Sequence, residues 1–293
     1  MPLIHPEEIS SIQGLDLRVK AIVEGFLSGL HKSPFHGFSA EFSEYRNYYP
    51  GDPTRLIDWK VYAKTDRLMV KKFEADTNLS ATILFDSSES MSFSSRRITK
   101  LEYAKTLAAS IAYLLIKQND SVGLGLFSDT LSSYYASKTG LSHFNMLLKQ
   151  LDHVNSGGQT DLRSVFSSVH HQLKKRGLII VFSDLLDSDE VFLSELAVLK
   201  RFGHDVIVFH LFDEQEKQLK YSERTRFVDK ETGETIEMNP DSIQDVYKER
   251  IIAYLNELNK MCLAEGIDYF PVSTADFYEH HLLEFLNTRS RKG

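Results

Sequence analysis

A lone cysteine, Cys262, stands among 293 residues, so neither an intrachain disulfide nor a cysteine-based zinc site can form. That scarcity fits a reducing compartment. No stretch approaches 18 uninterrupted apolar residues, and no membrane span is expected. The opening MPLIHPEEISSIQG lacks a basic segment followed by an apolar one, so a cytoplasmic location is expected. Basic residues are in deficit, 34 Lys and Arg against 41 Asp and Glu, for a net charge of −7. A protein built to grip nucleic acid or an anionic membrane would have the opposite balance. Also missing are a G-x-x-x-x-G-K-[ST] phosphate loop and a G-x-S-x-G nucleophile elbow.

What is present divides in two. Residues 1–77 read as a small helical and extended subdomain, packed on the rest of the chain with no Gly/Ser-rich linker between. Apolar positions from Ile9 to Leu30 recur every three or four residues, predicting one amphipathic helix or two broken near Gly14. An aromatic, turn-rich segment comes next, with Pro50-Gly51-Asp52-Pro53 as a strong turn signal. Residues 78–293 alternate strands and helices. Strands are predicted at 79–85, 121–127, 177–183, 205–211 and 267–272, with a further edge strand near LSSYYAS. Helices are predicted at 101–117, 141–151, 161–175, 188–202, 241–265 and 276–287, and a hairpin turn at Lys230-Glu231-Thr232-Gly233. Such alternation implies an α/β domain with a doubly wound, mostly parallel sheet covered on both faces.

In open α/β sheets, sites form beyond the carboxyl ends of the strands. Asp86-Ser87-Ser88-Glu89-Ser90 follows the first strand, Asp184 follows GLIIVFS, and Thr160 lies in the loop Gly157-Gly158-Gln159-Thr160-Asp161. Ser88, Ser90 and Thr160 can offer hydroxyl oxygens, while Asp86 and Asp184 supply two negative charges against a divalent cation. Mg²⁺ suits such oxygens, with Mn²⁺ or Ca²⁺ as alternatives, and keeps some coordination for water or an anionic oxygen. Taken singly, each of these residues could equally be a helix N-cap.

The set Asp86-x-Ser88-x-Ser90, Thr160 and Asp184 resembles the metal-ion-dependent adhesion site of von Willebrand A domains, a Rossmann-like fold, with all five positions filled. That resemblance implies that the serines and threonine touch the metal and the aspartates bind it directly or through water. A wider resemblance rests on FLSGLHKSPFHGFSAEF, on RNYYPGDPTRLIDWKVYAKTDRLMVKKFEADTNL (46–79), and on the DSSESM, GGQTDL and FSDLLD segments. Together they are similar to the domain-of-unknown-function-58 family. That family's association with MoxR-type AAA ATPases implies a partner of that kind.

The expectation is therefore a non-enzymatic, metal-dependent protein-binding module that engages an acidic residue of a partner, with a MoxR-type ATPase as the implied candidate. The alternative is a metal-dependent hydrolase using the same site. Aspartyl-phosphate chemistry is disfavoured, since Ser88 stands where a general-acid aspartate would be needed. Arg46, Arg55, Lys60, Lys64, Arg67, Lys71 and Lys72 stand among tyrosines and Trp59, but Glu44, Asp52, Asp58, Asp66, Glu74 and Asp76 nearly cancel their charge. Arg46, Asp52, Arg55, Asp58 and Trp59 are thus read as fixing that segment or as a docking surface. Adjacent His170-His171 and His280-His281 point about 100° apart on a helix and do not converge on one ion. Cys262 is read as a core residue.

Overall fold

A computed structural model describes residues 5–30, 45–48, 57, 59–71, 79–158, 162–173, 175–185, 189–221, 224–228 and 233–292. Two compact units emerge: Met1–Phe26 with Leu79–Gly293, and Leu27–Asn78. Residues 1–26, read from the sequence with the N-terminal subdomain, fall in the first unit, and the second ends at Asn78. The reason is apolar burial. Gly14, at φ +89°, separates α1 (Pro6–Ser10) from α2 (Leu15–Leu30). Ile9, Leu15, Val19, Ile22 and Val23 are all buried, and Arg18 reaches Glu102 at 3.4 Å.

Within Leu27–Asn78, β1 (Tyr45–Asn47) pairs antiparallel with β2 (Met69–Lys71), and α3 (Trp59–Thr65) lies between them in sequence. Trp59 is exposed and meets the edge of Tyr62. Arg55, Asp52 and Asp58, expected to fix this segment or to serve in docking, lie outside the described residues.

The larger unit runs β3 (Ser80–Asp86), α4 (Lys100–Lys117), β4 (Ser121–Phe127), β5 (Leu131–Lys138), α5 (Leu141–Asp152), α6 (Leu162–Gln172), β6 (Leu178–Ser183), α7 (Asp189–Arg201) and β7 (Asp205–Phe212). It continues with α8 (Glu214–Gln218), β8 (Thr225–Val228), β9 (Thr235–Met238), α9 (Gln244–Ala264), β10 (Asp268–Ser273) and α10 (Tyr278–Lys292). Among the described residues six strands form one sheet in the order β10-β7-β6-β3-β4-β5, parallel except for the edge strand β5. This is the expected α/β class. The turn at 230–233 falls largely outside the described residues, but β8 and β9 pair antiparallel around it as a hairpin should. No described helix is long and apolar enough to cross a membrane.

Strands buried on both faces need unbroken apolar runs, and SATILFD, SVGLGLF and LIIVFS supply them. On one face Phe85, Phe182, Phe209 and Phe270 stand in register across four strands, with the Phe182 and Phe209 rings stacked at 4.9 Å. On the other, Leu84, Val181 and Val208 pack with Leu162, Val165, Leu196, Leu258 and Cys262 from α6, α7 and α9. The chain builds β3, β4 and β5 to one side and then crosses over to β6, β7 and β10. The switch in winding direction therefore falls between β3 and β6, where such sheets place their sites.

Close strand packing also constrains Gly177, just before β6. A Cβ there would sit 2.1 Å from the backbone oxygen of Ser80, whereas one at Gly157 would meet nothing within 4 Å. Gly177→Ala should therefore cost about 1–3 kcal/mol of stability, the usual range for overpacking, and Gly157→Ala little, as read by urea denaturation of the two variants. Equal costs would show that the backbone contact does not constrain the sheet.

Candidate metal centre

Asp86 closes β3 and Ser183 closes β6, side by side in the sheet, and alternation along each strand sends both side chains to the α6/α7/α9 face. Asp86 is fully buried and both of its oxygens are engaged. Its Oδ1 accepts the Ser88 N–H at 2.9 Å, and its Oδ2 accepts the Ser183 hydroxyl at 2.5 Å. Burial, and next the nearby charge of Asp184, push the Asp86 carboxyl up to about 7; the hydrogen bonds from Ser183 and Ser88 oppose but do not cancel this.

Ser88 occupies the N-cap position of the 3₁₀ turn Glu89–Ser92, yet its side chain makes no capping bond. Its hydroxyl turns instead to that of Ser90, 2.9 Å away, and both serines are buried. The capping explanation thus fails for Ser88. The loop is held from two sides. Ser87 N–H donates to the Phe127 carbonyl, Gly157 N–H donates to the Ser87 carbonyl at 2.8 Å, and Glu89 N–H donates to the Gly158 carbonyl at 3.0 Å. These bonds lay the Gly157-Gly158 segment against the Asp86 loop. Thr160, two residues on, lies outside the described residues.

Asp184 follows β6 and is buried. Its Oδ2 meets Lys100 Nζ at 2.7 Å, and Lys100 Nζ also meets Glu216 Oε1 at 2.7 Å. Asp184 Oδ1 is buried with no hydrogen-bond partner. The two-carboxylate charge count from the sequence is therefore incomplete, because a buried ammonium touches one of the pair. Burial works against the charge on Lys100, but the Asp184 and Glu216 carboxylates outweigh it and hold its pKa above the usual lysine value. Glu216, in turn, accepts the Asp213 N–H through Oε2, and Asp213 accepts from Gln215 N, a capping box that starts α8. Asp213 also holds both the N–H and the hydroxyl of Ser95. Behind Asp184, burial pushes the His210 imidazole down to about 4, so it is neutral near pH 7. Its Nδ1 accepts the Tyr269 hydroxyl at 2.6 Å, which leaves the Nε2–H to donate to the Asp184 carbonyl at 3.1 Å.

Of the five predicted residues, the structure brings Asp86, Ser88, Ser90 and Asp184 to one end of the sheet. Lys100, Ser183, His210 and Glu216 join them, although the sequence pattern does not single them out. Lys100 carries a readable signal: it is the first residue of α4, where the helix dipole disfavours a cation. Among the described residues no three His, Cys, Asp or Glu side chains gather as a metal site. The donors available for a metal are carboxylates and hydroxyls, a hard oxygen set that fits Mg²⁺. Asp184 Oδ1, buried with no hydrogen-bond partner, is an oxygen that such an ion could take. The two histidine pairs do not converge: His170 packs on Phe202 and His171 bonds Ser167, while His281 lies between Asp276 and Glu284 and His280 against Phe277.

The family described as "Protein of unknown function DUF58" matches residues 44–253, more than half of the chain, and the chain belongs to that family. An uncharacterized protein of Mycobacterium tuberculosis is 23% identical over 290 residues, covering 98% of this chain and 91% of its own. Among solved structures, the conserved hypothetical protein BatB from Bacteroides thetaiotaomicron aligns over 73% of this chain and 99% of its own, at 15% identity and a TM-score of 0.46. The SpRpn10 VWA domain aligns over 69% of this chain and 92% of its own, at 13% identity and a TM-score of 0.44.

The upward shift of Asp86 has a stability consequence. Its carboxyl holds a proton in the folded chain up to about pH 7, while the unfolded chain releases it near 3.8. Between those values the folded state binds more protons, so stability falls as pH rises, by at most about 1.4 kcal/mol per unit. In EDTA, wild type should lose stability relative to Asp86→Asn from pH 4 to pH 7, measured by denaturant titration. A difference that stays flat or grows with pH would contradict the assignment.

Proposed function

We propose that this member of the DUF58 family is a protein-binding module that captures an acidic side chain of its partner through a divalent cation held by Asp86, Ser88, Ser90, Thr160 and Asp184. The observation that carries this reading is the buried cluster at the switch point: the Ser88 and Ser90 hydroxyls face each other, and Asp184, whose charge acts on Asp86, keeps a buried oxygen without a hydrogen-bond partner. Mg²⁺ would supply the positive charge when bound. The protein's own part is to fix the donors and to keep the shell short of charge. Asp86 is tied to Ser88 and Ser183, and Asp184 shares its charge with Lys100. A cation so placed keeps an unmet attraction for anionic oxygen, which a partner's carboxylate satisfies.

Burial favours binding over hydrolysis. A general base must reach the water or substrate whose proton it takes. Asp86 has its pKa near neutrality, but it is fully buried, and its hydrogen bonds run to Ser88 and Ser183 within the protein. Family resemblance points to a MoxR-type AAA ATPase as the partner, with this chain as its adaptor or co-factor.

The test is capture of a co-encoded MoxR-type ATPase by the immobilised protein. Capture should hold in Mg²⁺, fall at least tenfold in EDTA, and be lost in Ser88→Ala at unchanged melting temperature. Capture that is indifferent to both EDTA and the substitution would overturn the reading.

A further inference from the structure

Resting on the metal-dependent reading of this site, we propose that Lys100 is a built-in competitor for the divalent cation at Asp184, and that Glu216 regulates the competition by offering Lys100 a second anchor. The geometry is specific. The Lys100 ammonium, about 1% exposed, stands 2.7 Å from Asp184 Oδ2 and 2.7 Å from Glu216 Oε1. The ammonium and an incoming ion must therefore share Asp184, whose Oδ1 is the oxygen left over. Like charges at such range repel strongly where water is excluded. The more firmly Glu216 draws Lys100, the more of Asp184 is left for the ion.

Glu216 is not an isolated surface acid. Its Oε2 is fixed by the Asp213 N–H, and Asp213 grips Ser95 in the loop before α4, while Arg96 pairs with Glu214. A partner that shifts α8 or the 93–98 loop thus moves the anchor of Lys100 and retunes the ion site without touching a metal donor. The lysine makes ion binding conditional, where a site of oxygens alone would load whenever Mg²⁺ was present.

The test is isothermal titration with Mg²⁺ alone on wild type, Lys100→Met, Glu216→Gln and the double variant, with folding checked by circular dichroism. Lys100→Met should tighten binding by about tenfold, the scale on which residues behind the ligands act. Glu216→Gln, which keeps the acceptor for Asp213, should weaken it. In the Lys100→Met background the Glu216 substitution should have less than about half of that effect, since it acts through the lysine. Unchanged or weaker binding by folded Lys100→Met, or an equal Glu216 effect in both backgrounds, overturns the proposal. If Lys100→Met does not fold, Glu216→Gln alone decides: binding unchanged or tighter overturns it. Wild-type binding that Ser88→Ala abolishes but Lys100→Met leaves unmoved defeats this inference and spares the metal reading. No binding by any variant defeats both.

Discussion

An ammonium and a carboxylate buried together must answer each other, because either one alone would carry several kcal/mol of lost hydration. The contact between Lys100 and Asp184 is such a pair, and the upper end of the domain is arranged around it. It joins the start of α4 to the end of β6, and through Glu216 it reaches the start of α8. It also explains a local oddity, a lysine in the first turn of a helix whose dipole repels it. Asp184 supplies what the helix terminus withholds.

Around that pair the fold does what open parallel sheets do. Unbroken apolar strands bury the centre, and the side chains that cannot be apolar collect where the winding reverses. Asp86 and Ser183 are adjacent strand ends, so their hydrogen bond follows from register alone. His210, next in the same row, stays neutral and steadies the Asp184 backbone. Contacts of this kind, one layer behind the donors, orient a site as much as its ligands do.

Much of this is legible in the residues. Strands β3, β4 and β6 show as apolar runs, α4 by its periodicity, and the edge strand β5 by its half-polar pattern after Ser128-Asp129-Thr130. The D-x-S-x-S loop and the strand-end Asp184 locate the site. The short helix α8 is not legible, since EQEKQ has no apolar stripe and owes its turn to the Asp213 capping box. The apolar spacing of Ile9, Leu15 and Val19 states that a helix packs, not against what, so pattern alone does not place residues 1–26 in a unit. Lys100 is unusual as a lysine opening a helix whose dipole disfavours it, but only the fold shows that Asp184 and Glu216 are the carboxylates it meets. Thr160 lies outside the described residues, and its part in the site rests on the sequence motif alone.

The proposed function depends on a hydroxyl-rich, partly neutralised oxygen cluster, which would leave a bound cation open to a partner's anionic oxygen. The most direct measurement is a crystal structure of the protein grown with Mn²⁺ and recorded at the manganese absorption edge. The expected result is an anomalous peak in contact with the Ser88 and Ser90 hydroxyls and on the Oδ1 side of Asp184. A well-ordered site with no peak there, or manganese bound only elsewhere on the chain, would contradict it.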